Sequence, residues 1–297
     1  MEFHSVGIVG GGFVGKSLAQ KVASKGIHVT VLERTDATAA HAREGLVANL
    51  DAELAKWGIT ASDKKLVLDR VAFTTDTARM AATDIVIEAV QEQLDAKKAA
   101  MRQLASACPP ERVFVTNTST LSITEIATAS GRPDRVIGMH FMFPVTSSPI
   151  VEVVRGADTS DATFAIALAL AGVLDKTAIT VFESPGYVVT RAILPMLNEA
   201  MHIVLEGVAS AADVDQAIRL GYEFKLGPLE YSDRMGLDRV LGWLEHLFRE
   251  TGDVKYRPCP LLRKLVRAGH LGRKTGRGFF RYQGHQRLAS PHEEALV

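Results

Sequence analysis

The stretch Val6-Gly7-Ile8-Val9-Gly10-Gly11-Gly12-Phe13-Val14-Gly15 decides the class of fold. An apolar run breaks into glycines, after which Val14, Leu18 and Val22 recur at helical spacing as far as Ser24. His28 to Leu32 then alternates as a strand does and ends on Glu33. Strand, turn, helix and strand together have the length of one βαβ crossover. Gly10, Gly12 and Gly15 stand in the register G-x-G-x-x-G. The first permits a tight turn, the second lets backbone approach a pyrophosphate, and the third lets helix pack on strand. A helix opening at Phe13 and Val14 turns free N–H groups and a partial positive charge toward the phosphates. In this context the motif predicts a dinucleotide-binding site. Glu33 predicts NAD rather than NADP, because a carboxylate there hydrogen-bonds the ribose hydroxyls and repels a 2′-phosphate. Arg34 argues the other way if it grips that phosphate, and is otherwise a solvated strand-end charge.

Outward from this unit the alternation continues. Residues 39–68 are charged and helical, with Leu46, Leu50, Leu54 and Trp57 along one face. Asp84-Ile85-Val86-Ile87-Glu88 reads as a buried parallel strand, and the helix from Leu94 to Ala107 is stopped by Pro109-Pro110. Further strands are predicted at 113–115, 135–141, 150–154 and 178–182, with a short helix at 123–129. Beyond Ser184-Pro185-Gly186 only helical patterns remain, at 188–207, 213–220, 227–231, 236–251 and 260–268. Alternating β and α followed by all-α predicts a Rossmann-type, doubly wound α/β domain over 1–183 and an all-α domain over 184–297.

Composition narrows the function classes. With 47% hydrophobic and 23% charged among 297 residues, there is material for a core in each domain. Lys plus Arg and Asp plus Glu balance at 34 each, so no global field draws the chain to nucleic acid or an acidic membrane. Cys108 and Cys259 lie far apart, with neither metal-ligand spacing nor a disulfide framework. The first residues lack the pattern of a secretory leader, and the longest apolar run, Phe164 to Leu174, is about half a membrane span. The expectation is a cytoplasmic enzyme using no metal.

His140 is the candidate acid/base among nine histidines. It ends a predicted strand on the carboxyl edge of the sheet, where open α/β folds bind their ligands. Glu152 lies on the next strand, and a strand–turn–strand can bring its carboxylate to the imidazole. A lone acid within Ile150–Val154 otherwise needs a partner for a buried charge. Oxidation of a secondary alcohol needs a base for the hydroxyl proton while hydride leaves the carbon. An imidazole titrates near neutral pH, and an adjacent carboxylate fixes its tautomer and stabilises the imidazolium.

Three segments, Asn117-Thr118-Ser119-Thr120-Leu121-Ser122-Ile123-Thr124, Arg135-Val136-Ile137-Gly138-Met139-His140-Phe141 and Ile150-Val151-Glu152-Val153-Val154, resemble the 3-hydroxyacyl-CoA dehydrogenase family. Tyr256-Arg257-Pro258-Cys259-Pro260-Leu261-Leu262 and the run from Leu271 to Phe279 are similar to the family's closing signature, so the resemblance spans essentially the whole chain. It implies that His140 is the acid/base, Glu152 its orienting partner, and Ser119 the hydroxyl that bonds the substrate oxygen. Helix capping before Ile123 is the other reading of Ser119, a task Ser122 could equally perform. The resemblance further places Glu92, Lys97, Asn117 and Lys274 at the cofactor, NAD, and Lys56 at the 3′-phosphate of coenzyme A, a solvated lysine on an amphipathic helix being the other reading of Lys56. It also implies a homodimer built through the helical domain. Ile193, Leu197, Ile203, Leu205, Leu241, Trp243, Leu244, Leu247 and Phe248 are candidate apolar surface for it.

The chain departs from the family around the site. Phe143, in His140-Phe141-Met142-Phe143-Pro144, and Thr190, in Ser184-Pro185-Gly186-Tyr187-Val188-Val189-Thr190-Arg191, each stand where the family has asparagine. Ser148-Pro149 replaces the Met-Lys that usually precedes the Ile-Val-Glu strand. These changes imply either a different acyl thioester, carried on coenzyme A or on an acyl-carrier protein, or weakened catalysis; the retained His140, Glu152 and Ser119 favour the first. A 3-hydroxybutyryl-CoA dehydrogenase of fatty-acid degradation is the default. A dehydrogenase of a non-thioester hydroxy acid, or a non-catalytic NAD-binding relative, are the alternatives.

Overall fold

The computed structural model describes residues 2–284 and 286–288, and the chain divides into two compact units, Met1–Tyr187 and Val188–Val297. The first unit runs β1 (Ser5–Val9), α1 (Phe13–Ser24), β2 (His28–Leu32), α2 (Asp36–Leu54), α3 (Ala61–Arg70), β3 (Val71–Thr74), β4 (Ile85–Glu88), α4 (Leu94–Ala107), β5 (Val113–Thr116), α5 (Ile123–Thr128), β6 (Val136–Phe141), β7 (Ile150–Arg155), α6 (Asp161–Val173) and β8 (Thr177–Phe182). Its strands form one sheet in the order β3-β2-β1-β4-β5-β6-β7-β8. All neighbours are parallel except β6 and β7. From β1 the chain winds one way to β2 and β3, then returns to the other side of β1 for β4 and β5. That reversal opens a crevice at the carboxyl edge between β1 and β4, where doubly wound sheets hold ligands. β4, β5 and β6 are buried at every residue, which explains their continuous apolar runs.

Two local features differ from the sequence reading. The single helical pattern over 39–68 is two helices, broken by a turn in which Trp57 adopts φ 59° and is 95% exposed. Trp57 therefore does not continue the Leu46–Leu50 face. The chain restarts because Thr60 caps α3: its hydroxyl accepts from Asp63 N at 3.1 Å while the Asp63 carboxylate accepts from Thr60 N at 2.9 Å. Such a capping box stabilises a helix start by about 1 kcal/mol. The edge strand β3, paired only to β2, is absent from the sequence reading because its alternation, Val71 and Phe73 packed on the core with Ala72 exposed, spans only four residues.

The second unit holds α7 (Val189–Leu205), α8 (Ala211–Gly221), α9 (Pro228–Met235), α10 (Leu237–Thr251) and α11 (Pro260–Arg267). It also holds β9 (Tyr282–Gln283) paired antiparallel with β10 (Gln286–Arg287), so the end of the chain is not wholly helical; two-residue strands are too short for periodicity to reveal. Leu197, Leu244 and Leu247 are fully buried in this unit's own core, and Ile193, Ile203, Leu205, Leu241, Trp243 and Phe248 pack against it. These residues therefore serve the fold of the unit more than a spare surface. Leu220 (64% exposed), Tyr222 (72%) and Phe224 (43%) are among its open apolar side chains instead. Among the described residues no helix is long and apolar enough to cross a membrane.

Candidate active site

At the end of β1 the glycine turn is fixed by sterics. Gly10 has φ 95°, and a Cβ on Gly15 would lie 1.8 Å from Gly10 O, so helix and turn touch through glycine alone. A Cβ on Gly12 would meet no protein atom within 4 Å, so the glycine there serves the outside of the turn rather than its packing. Phe13 and Val14 open α1 immediately beyond it. Glu33, just past β2, turns its carboxylate back to accept from Gly11 N. Turn, helix start and acid thus converge as a dinucleotide's phosphates and ribose require, and the residues fit NAD.

Across the sheet, His140 and Glu152 face each other in the antiparallel register of β6 and β7. Directly opposed residues project to the same face of a sheet, and here Nδ1 of His140 meets Oε2 of Glu152 at 2.6 Å. Glu152 is wholly buried and His140 nearly so. A carboxylate at Nδ1 holds the ring proton there and leaves Nε2 as the acceptor. The Tyr187 ring lies 5.8 Å from the imidazole, and its hydroxyl donates to Leu121 O at 2.8 Å. Burial, with Glu92 and Glu183 nearby, holds that phenol well above its ordinary pKa, so it stays protonated.

A second network ties the loops after β4 and β5. Glu92, on the exposed loop after β4, accepts from Ser119 N at 2.7 Å and from the Thr118 hydroxyl. Asn117 Oδ1 accepts from Phe141 N at 3.2 Å, which anchors the end of the strand that carries His140. Ser122, not Ser119, caps α5, accepting from Glu125 N at 3.0 Å. Among the described residues the Ser119 hydroxyl takes part in no hydrogen bond. Lys97, expected at the cofactor, is instead entirely buried, with Nζ 2.9 and 3.2 Å from the Glu88 carboxylate and 2.8 Å from Asn117 O.

The remaining predicted residues are dispersed. Phe143 lies on the loop after β6, its ring 4.3 Å from that of Phe13, so the glycine-rich turn and the loop after His140 meet through aromatic rings. Lys56 stands exposed in the turn after α2. Thr190 is buried in the first turn of α7, and Lys274 is ion-paired with both oxygens of Asp238 at 2.6 Å, both within the second unit. Glu88, Thr116, Tyr187 and Glu183 were not singled out from sequence. Glu183 accepts from Thr124 N at 2.8 Å and from the Ser122 hydroxyl, fixing the start of α5. Glu88 carried a signal like that of Glu152: a lone acid beside apolar residues of a buried strand.

Known proteins match the chain along its length. Residues 5–184 match the 3-hydroxyacyl-CoA dehydrogenase NAD binding domain, and 186–282 match the 3-hydroxyacyl-CoA dehydrogenase C-terminal domain. A probable 3-hydroxybutyryl-CoA dehydrogenase of Bacillus subtilis (strain 168) is 42% identical over 283 residues, covering 95% of this chain and 99% of its own. The mitochondrial hydroxyacyl-coenzyme A dehydrogenase of Homo sapiens is 34% identical over 290 residues, covering 94% and 91%. The crystal structure of (S)-3-hydroxybutyryl-CoA dehydrogenase from Ralstonia eutropha superposes with a TM-score of 0.87 at 41% identity, covering 95% of this chain and all of its own. The chain belongs to the 3-hydroxyacyl-CoA dehydrogenase family and is an NAD-dependent oxidoreductase.

Proposed function

We propose that the protein oxidises the 3-hydroxyl of an acyl thioester to the 3-oxoacyl thioester, and runs the reverse, with His140 and Glu152 as a paired acid/base. The observation that carries this reading is the 2.6 Å contact between His140 Nδ1 and the buried Glu152 carboxylate. When bound, NAD supplies the acceptor for the hydride that leaves the hydroxyl-bearing carbon. His140 Nε2 takes the hydroxyl proton as the carbonyl forms, and the imidazolium that results is stabilised by the ionised Glu152. Ser119, whose hydroxyl is uncommitted, bonds the substrate oxygen and sets it against Nε2. In reduction His140 returns the proton to that oxygen. Glu33 and the glycine turn hold the adenosine half of the cofactor, with Glu92 and Asn117 toward its nicotinamide half.

The thioester carrier is coenzyme A, with Lys56 at its 3′-phosphate, in keeping with the names of the relatives. The Phe143 and Thr190 replacements set the acyl preference. Following NADH absorbance with 3-hydroxybutyryl-CoA, a carrier-protein thioester and free 3-hydroxybutyrate tests the reading. Turnover of the free acid alone, or of none of the three, would sink it. A homodimer through the helical unit, supported by exposed Leu220, Tyr222 and Phe224, predicts twice the chain mass in light scattering; a monomer at micromolar concentration would exclude it.

A further inference from the structure

We propose that Lys176 is a positioning residue: its buried ammonium latches the loop between β6 and β7, and the latch keeps His140 opposite Glu152. Those two strands form an antiparallel hairpin whose last pairs are His140 with Glu152 and Phe141 with Val151. Hairpin register is fixed by the loop that closes it, and a slip of one residue would part the pair. That loop is 142–149, a tight turn in which Ser148 N donates to Pro144 O at 2.9 Å. Nζ of Lys176 donates to two of its carbonyls, Val145 O and Ser148 O, each at 2.7 Å. Thr177 N, one residue beyond the lysine, donates to Pro149 O at 2.7 Å. The start of β8 therefore grips the loop at three carbonyls, two of them through one side chain.

The setting of the lysine argues for geometry over stability. After α6, Lys176 N donates to Ala171 O and Asp175 N to Gly172 O, with Asp175 left-handed at φ 52°. Asp175 is tied to α1 by Lys21 and Lys25, so the turn that aims the lysine is itself held. Lys176 is only 5% exposed and, among the described residues, makes no ion pair. A buried cation with no acid in contact carries a desolvation cost that an apolar side chain of similar length avoids. Burial and the Lys21 ammonium lower its pKa to about 8, with Asp175 opposing them, so the charge persists at neutral pH. That charge gives strong, directed hydrogen bonds to two backbone carbonyls of the loop. The same loop carries Phe143, whose ring lies 4.3 Å from that of Phe13 in the glycine turn. Release of the loop thus reaches the His140–Glu152 pair first and the cofactor end second. Misplacement of reacting groups by about 1 Å costs ~10²-fold in rate. The inference rests on the function proposed above in naming His140 and Glu152 as the reacting pair.

The test compares Lys176→Met and Lys176→Gln with Lys25→Ala, which breaks an exposed ion pair of the same turn. The readouts are kcat and KM with 3-hydroxybutyryl-CoA, NADH affinity by fluorescence titration, amide hydrogen exchange, and the proton resonance of His140 Nδ1. An N–H held by a buried carboxylate resonates far downfield, and its loss in His140→Ala assigns it. In Lys176→Met kcat is expected to fall ~10- to 100-fold, with the loss on kcat more than on KM. The Kd for NADH rises at most about tenfold, the weight of one aromatic pair, because Phe13 loses its neighbour. Exchange accelerates over 142–148 and not over α4, and the His140 resonance broadens or disappears. Lys176→Gln shows the same pattern more weakly, since an amide keeps N–H donors, and Lys25→Ala behaves as the wild type. Should Lys176→Met fail to fold, Lys176→Gln carries the comparison. Unchanged exchange over 142–148 in the folded variants would overturn the latch. Faster exchange with wild-type kcat and an intact His140 resonance would leave Lys176 a purely structural contact and overturn its positioning role. An equal loss in Lys25→Ala would assign the effect to the exposed pair and overturn it too. A wild type that turns over no thioester would defeat the proposed function instead, and exchange and the His140 resonance would still decide the role of Lys176.

Discussion

Among the described residues each unit buries two carboxylates, and the two units satisfy them differently. In the first unit Glu88 and Glu152 meet side chains that carry protons, the Lys97 ammonium and the His140 imidazole. In the second, Asp215 accepts from Leu229 N at 2.7 Å and Glu230 N at 2.9 Å, capping α9. Asp233 accepts from Phe279 N, Phe280 N and the Tyr282 hydroxyl, each at 3.0 Å. A backbone amide cannot give up its proton or change its charge, so an acid held that way only pins segments together. An imidazole can do both. The difference sets the His140–Glu152 pair, which can pass a proton, apart from acids that only hold segments together. It also explains the closing sequence signature: a Cβ on Gly278 would sit 1.9 Å from Asp233 Oδ1, so the glycine admits the carboxylate.

The comparison breaks most visibly at His140. His140→Ala is expected to lower kcat by ~10²–10⁴-fold with NADH affinity nearly unchanged, and Glu152→Gln to follow with a smaller loss. Steady-state kinetics beside NADH titration checks this, and retained turnover in His140→Ala would remove it from the chemistry.

Glu33 sharpens the division, because its carboxylate accepts from a backbone N–H yet lies at the glycine turn. Glu33→Ala should lower the NAD-to-NADP ratio of kcat/KM by at least tenfold, roughly the weight of one charged hydrogen bond at ~1.5–3 kcal/mol. A wild type that prefers NADP would show that Arg34 governs the choice.

Asp233→Asn should act on stability rather than chemistry. An amide oxygen cannot serve three donors as a carboxylate does, so a loss of ~1–3 kcal/mol is expected in urea unfolding, with kcat per folded molecule preserved. The acid also predicts a pH dependence. Burial raises the folded pKa of Asp233 to about 7 and of Asp215 to about 6 from 3.8, so the folded state holds more protons between those limits. Their contribution is therefore fully present below pH 3.8 and is lost as pH rises through about 6 and 7. The urea midpoint should fall between pH 5 and pH 8, and fall less in Asp233→Asn. An equal fall in both would contradict the assignment.

The smallest effect concerns Phe143 and Thr190. Phe143→Asn with Thr190→Asn should move the preference between 3-hydroxybutyryl-CoA and other acyl chains by ~1–3 kcal/mol at most. If the wild type already turns over 3-hydroxybutyryl-CoA at ordinary rates and the double variant is no better, the replacements do not set specificity.

The sequence by itself determined the glycine turn, the alternation that makes a doubly wound sheet, and the change of period after Ser184. These are local: a φ of 95° at Gly10 or an apolar strand needs no distant residue to be read. It also marked Glu152 as an acid in want of a partner. Only the tertiary structure decided which partners such acids take. Residue spacing along α4 cannot tell that Lys97 points inward onto Glu88, because a lysine on an amphipathic helix is ordinarily solvated. The break at Trp57, the edge strand β3 and the closing hairpin were likewise set by pairing and turn geometry, which hydrophobic pattern does not encode. Three-dimensional register, not composition, put His140 opposite Glu152 at 2.6 Å, because a slip of one residue between β6 and β7 would turn the carboxylate to the other face of the sheet.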